Sequence, residues 1–84
     1  MAFYQILYWQ NIPSQVKTWD DFDEVKLELS SKFIALIDIA AKEQGLTGED
    51  DYLNQWKWSD EQEREGTPEE VAESVKNELE EKFK

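Results

Sequence analysis

The chain has 84 residues, 13% of them Phe, Tyr or Trp, a formal net charge of −11 at pH 7, and neither cysteine nor histidine. A chain of this length holds one domain with one marginal core, and the missing Cys and His remove disulfides, zinc–thiolate sites, Ser-His-Asp triads and Cys-His pairs. Stability must then come from packing aromatic rings, each of which buries on the order of 150–250 Å², and any catalysis would have to run on carboxylates, Lys and Tyr.

"FYQILYW" (Phe3–Trp9) is β-branched and aromatic and reads as a strand, closed by the turn "QNIPSQ" with its Asn11 and Pro13. "QVKTW" (Gln15–Trp19) alternates and predicts a second strand, and "DDFD" a turn. In "EVKLELS", Val25, Leu27 and Leu29 alternate with Lys26 and Glu28, the pattern of a half-buried strand. Ser30 or Ser31 can cap a helix over "KFIALIDIAAKEQG", with Phe33, Ile34, Ile37, Ala40 and Ala41 as its apolar stripe and Gly45 as its stop. "YLNQWKW" puts Tyr52, Asn54, Trp56 and Trp58 on one parity, which predicts a fourth strand, with a short helix started by "GEDD" as the competing reading.

"SDEQEREG" reads as a polar linker. "TPEE" then opens a helix with Thr67 as N-cap, Pro68 at its first position and Glu70 completing a capping box. Val71, Val75, Leu79 and Phe83 recur at every fourth residue behind it. The expected fold is a single α+β domain, residues 1–84, with an acidic C-terminal helix over 67–84. In it two helices pack on one face of a small, mostly antiparallel sheet of three to four strands, in the order βββ-α-β-α.

Three stretches carry a resemblance. "YQILYWQNIPSQV", "FIALIDIAAKEQGLTG" and "DDYLNQW" resemble the small bacterial virulence factor family, over roughly Phe3 to Trp58. The matching positions are Tyr8, Trp9, Ile12, Pro13, Gln15 and Val16, then Asp38, Gly45, Gly48, Asp50, Tyr52, Leu53 and Trp56. The resemblance implies assembly more than catalysis, since such domains occur alone and as modules in longer chains with helical repeats, and no biochemical activity comes with the family. Two stretches depart from its pattern: Gln10 stands where relatives often have Arg, and Trp19-Asp20-Asp21-Phe22-Asp23 where they often have a basic turn. An anion-binding role is therefore not expected.

The acid clusters do not form a calcium loop, because an EF-hand counted from Asp21 puts Lys26 where the invariant Gly belongs. No metal and no cofactor is expected. Asp38 lies at the margin of the helix stripe, so a partly buried carboxylate bonded to an indole N–H, a tyrosine or a loop backbone is expected there. The competing role is a general base. Trp56 and Trp58, sharing a parity, are expected in the core.

The first strand is apolar on both parities, Tyr4, Ile6 and Tyr8 against Phe3, Leu7 and Trp9. Helices on one side can cover only one of them, so a homodimer or a docking surface centred on this strand is expected, testable by a charge at Tyr4 or Tyr8. Candidate interaction or motif residues are Tyr4, Tyr8, Trp9, Gln15, Trp19, Asp38, Asp50, Tyr52 and Trp56.

The acidic balance argues against direct nucleic-acid binding and against anionic membrane surfaces. No apolar run approaches the roughly 18 residues of a membrane span, and "MAFYQILYWQ" lacks the basic start and cleavage site of a signal peptide. A cytoplasmic location is expected. The function these features predict is a small non-enzymatic interaction or accessory module with a protein partner still to be identified. The alternative is an acidic mimic that occupies a basic protein surface, because thirteen acids and five bases from residue 47 onward leave −8 of the −11 at one end. A carboxylate enzyme ranks third.

Overall fold

The computed structural model describes residues 1–46 and 48–82. Along them run β1 (Ala2–Trp9), β2 (Ile12–Trp19), β3 (Glu24–Glu28), α1 (Ser31–Glu43), α2 (Glu49–Leu53), β4 (Trp56–Trp58), β5 (Gln62–Arg64) and α3 (Pro68–Lys82). The α+β class holds, with five strands in place of three to four and three helices in place of two. The sheet is antiparallel in the order β3-β2-β1-β4, with β5 also paired to β1.

Trp9 pairs directly with Ile12, so the first turn is only Gln10–Asn11, with Gln10 at φ 56°. This is tighter than the "QNIPSQ" turn expected, and β2 starts at Ile12 in place of Gln15. Pro13 is accommodated because the ladder slips between Leu7 and Tyr8, where Ser14 is skipped and a strand tolerates a missing N–H. The strained Gln10 is held from outside: its N–H donates to the Gln55 carbonyl at 3.0 Å, and its side-chain amide donates to Gln44 Oε1 at 2.8 Å.

The expected fourth strand divides. Gly48 opens the short helix α2, whose first turn is acidic (Glu49, Asp50, Asp51), and only Trp56–Trp58 remain extended. The polar "linker" is in part a strand: Gln62–Arg64 pair with Ala2–Tyr4. Between β4 and β5 the ladder is carried by Ser59, whose N–H donates to the Ile6 carbonyl at 2.8 Å while its hydroxyl accepts the Ile6 N–H at 2.9 Å. Arg64 then ties β5 to α3, with its guanidinium on Glu78 and on Ser74 Oγ.

The end of α1 and the start of α3 follow their local signals, whereas Ser30 stands at the N-cap of α1 without a side-chain capping hydrogen bond. Gly45, at φ 71°, closes α1 in a Schellman motif, with Leu46 N–H on Ala41 O at 2.8 Å and Gly45 N–H on Lys42 O at 3.2 Å. At α3 the capping box is complete, with Thr67 N–H on Glu70 Oε1 at 3.1 Å and Glu70 N–H on Thr67 Oγ1 at 3.2 Å. Phe83, expected to continue the α3 stripe, lies outside the described residues.

Two clusters make the core. The first packs Ala2, Tyr4, Ile6 and Val16 of the hairpin against Leu29, Phe33 and the Val71, Ala72, Val75, Leu79 stripe of α3. Thr18, fully buried, donates its hydroxyl to the Pro68 carbonyl at 2.7 Å and so anchors the start of α3 on β2. The second cluster holds Trp9, Ile37 and Ala41, with Ile12, Leu46, Tyr52 and Trp56 against it. Trp9 has the parity opposite to Tyr4 and Ile6, so α1 spans both clusters, Phe33 in the first and Ile37 and Ala41 in the second. This corrects the expectation of both helices on one face: a strand apolar on both sides is covered on both sides at its Trp9 end. The expected α1 stripe is also too wide, because Ile34 is 55% exposed.

Candidate functional site

Toward the Phe3 end of β1 the second parity stays open. Residues facing each other in an antiparallel ladder share a side of the sheet, and the register aligns Phe3 with Trp19, Gln5 with Lys17, and Leu7 with both Gln15 and Trp58. Phe3 and Trp19 stack with ring centroids 6.0 Å apart. The Lys17 ammonium lies 5.5 Å from the Trp19 ring centre and 5.8 Å from that of Trp58, a two-sided cation–π contact reaching across β1. Phe3 is 36% and Trp58 44% exposed. Glu24 and Lys26 of β3, opposite Trp19 and Lys17, form an ion pair at 3.8 Å on the same side.

One hairpin turn beyond Trp19, the residues Asp20–Asp23 close a tight loop. Asp20 N–H donates to the Asp23 carbonyl at 2.9 Å, and Asp20 Oδ1 accepts the N–H groups of Phe22 and Asp23, both at 2.8 Å. These two backbone donors hold the Asp20 carboxyl below the usual carboxylate range. Beside the loop a shallow cleft of about 350 Å³ is lined by Asp23, Glu24, Val25, Thr67, Pro68 and Glu69. Among the described residues no three acids converge into a metal-binding group, and no helix is long and apolar enough to cross a membrane.

With this geometry in place, comparison with known families is decisive on kinship. A family model described as "Virulence factor" matches residues 7–84. The chain belongs to the virulence factor family. Neither the curated proteins nor the solved structures return a match. The match runs past the Phe3–Trp58 stretch that carried the resemblance and takes in β5 and α3, whereas Phe3 itself lies outside it.

The candidate positions divide sharply by environment. Trp9, Tyr52 and Trp56 come together in the second cluster: Trp9 is fully buried, its ring centre is 5.6 Å from that of Tyr52, and Tyr52 meets Trp56 edge-on at 6.1 Å. The Trp9 indole N–H donates to the Tyr52 carbonyl at 3.0 Å. Tyr4 is buried and donates its hydroxyl to Gln62 Oε1 at 2.8 Å. Tyr8 is half-buried against the first cluster, and burial, with Tyr4 nearby, pushes its hydroxyl pKa up. Neither tyrosine is on the open side, so the expectation that a charge at Tyr4 or Tyr8 would probe a docking surface is corrected: the wet parity is that of Phe3 and Leu7. Gln15 stands half-buried opposite Leu7 and Glu28, and Asp50 is exposed in the first turn of α2.

Asp38 corrects a second expectation, because it is exposed. The buried seam of α1 is only Phe33, Ile37 and Ala41, one residue wide per turn, and Asp38 falls a step of about 100° outside it. Asp38→Ala is accordingly expected to change stability by no more than about 0.5 kcal/mol, read from thermal melts. A loss well above 1 kcal/mol would show that the carboxylate has a structural partner. Trp58, expected in the core with Trp56, is on the open side instead. Phe3, Lys17, Phe22 and Trp58 went unmarked as site residues in the sequence; the available signal was the shared parity of Phe3 and Leu7 with a strand partner ending in Trp19.

Proposed function

We propose that this virulence factor domain is a non-enzymatic interaction module that docks another protein on the open part of its sheet. One observation carries the reading: Phe3, Trp19 and Trp58, with Lys17 between the two indoles, lie on one side of β1, β2 and β4 and remain partly in water. Tryptophan is enriched at the desolvated centres of protein interfaces, and rings left on a sheet face lose free energy in water that a partner restores. A second reading, the acidic mimic, is favoured by the wet side of α3, where Glu69, Glu73 and Glu78 are exposed.

Capture from cells of the native host by wild-type, Trp58→Asp and Glu69→Lys/Glu73→Lys proteins separates the two. The expected result is a partner retained by wild type and by the lysine variant and lost with Trp58→Asp, while all three melt cooperatively. A partner lost only with the lysine variant would transfer the function to the acidic helix. A wild-type dimer in sedimentation that Trp58→Asp dissociates would make the partner a second copy of the chain.

A further inference from the structure

Building on that reading, we infer that the partner is a basic protein and that Phe22, on the β2–β3 turn, is the anchor that inserts into it. Phe22 is 90% exposed, the most exposed of the large apolar residues described. Turn positions ordinarily take polar residues, and an exposed ring contributes almost nothing to the fold. Nor does this ring swing on a loose loop. The Asp20 carboxylate and the Asp20–Asp23 backbone bond hold its backbone through three hydrogen bonds of 2.8–2.9 Å. A ring presented on a pre-ordered turn loses little further backbone entropy when it is buried by a partner. The turn leaves the sheet directly after Trp19, whose ring stacks on Phe3, so Phe22 stands three residues along the chain from the open face.

Charge decides the occupant. Asp20, Asp21 and Asp23 flank Phe22 in the chain, followed by Glu24, which is paired with Lys26. On the α3 side of the sheet the cleft beside the turn is lined by Asp23 and Glu69 together with Val25 and Pro68. From Asp20 to Val25 there is no Lys or Arg. A second copy would bring another −11 and the same carboxylates to the contact, and like charges placed together oppose association. A surface that sets Lys or Arg beside a bulky apolar side chain satisfies both features, because the stems of such cations pack on apolar floors while their heads reach carboxylates.

The probe is a phage-displayed random dodecapeptide library, selected on immobilised wild-type protein alone, with the enriched peptides then measured against wild type, Phe22→Ser and Trp58→Asp. Phe22→Ser is expected to melt like wild type, since its ring is 90% exposed. Enriched peptides should combine Lys or Arg with an apolar residue and should lose affinity roughly tenfold or more on Phe22→Ser. They should also weaken as salt rises from about 0.05 to 0.3 M, across the range where screening of exposed charges tightens. Neutral or acidic peptides, peptides held equally by Phe22→Ser, or no enrichment overturn the inference. Peptides indifferent to Phe22→Ser but lost on Trp58→Asp overturn the anchor and leave the open-face reading standing. Peptides lost on Phe22→Ser but kept by Trp58→Asp support the anchor and sink that reading. A wild-type dimer that Phe22→Ser dissociates also overturns the inference, in favour of a second copy.

Discussion

Trp9→Ala is expected to destabilise the protein by about 3–5 kcal/mol, a large share of the roughly 5–15 kcal/mol that holds a domain folded. Trp9 is fully buried, and the second cluster is built around it: Ile37 and Ala41 of α1, and Tyr52 and Trp56 from either side of the α2–β4 junction. Removing the indole opens a cavity among α1, α2 and β4 at the centre of this cluster. It also removes the shorter of two hydrogen bonds to the Tyr52 carbonyl, which keeps the Gln55 N–H at 3.3 Å. Trp9→Phe keeps most of the volume and loses the N–H, so it should cost less, about 1–3 kcal/mol. Urea unfolding followed by far-ultraviolet circular dichroism measures both variants. A Trp9→Ala midpoint equal to that of wild type would show that α1 and α2 hold the fold together without this ring.

Two neighbouring residues should behave oppositely when each is replaced by aspartate. Tyr4→Asp is expected to abolish cooperative folding. Tyr4 is 7% exposed, within the first cluster, with its hydroxyl on Gln62 and the Arg64 guanidinium 5.3 Å from its ring centre. Loss of the ring costs about 3–5 kcal/mol, and a carboxylate placed in the cluster adds its own desolvation. Arg64 is poorly placed to compensate, since Glu78 already engages it and is held below the usual carboxylate range by that contact. Phe3→Asp removes a ring that is 36% exposed and stacks on Trp19, a contact of about 0.5–1.5 kcal/mol, so the fold should survive and binding should fall. Thermal melts of the pair decide the point. If Tyr4→Asp melts near wild type and Phe3→Asp does not, the assignment of core and open sides is reversed.

What the sequence determined by itself was whatever is settled within about one helical turn or one strand. The Thr67–Glu70 box, the Gly45 stop and the Val25/Leu27 alternation each depend on partners a few residues away, and each is found as its residues dictate. The competition over Glu49–Trp58 was legible but undecided, because a helix-starting acidic run and a strand parity overlap in ten residues. Tertiary structure decided the rest. Gln62–Arg64 is polar and patternless, and becomes a strand only because Ala2–Tyr4, some sixty residues earlier, offers backbone partners and Arg64 reaches Glu78. Trp56 and Trp58 share a parity, yet Tyr52 covers one and leaves the other in water. Period-two alternation states which residues of a strand share a side. Which side receives a helix depends on where the chain returns, and for β1 that return covers one parity along the whole strand and the other only at Trp9.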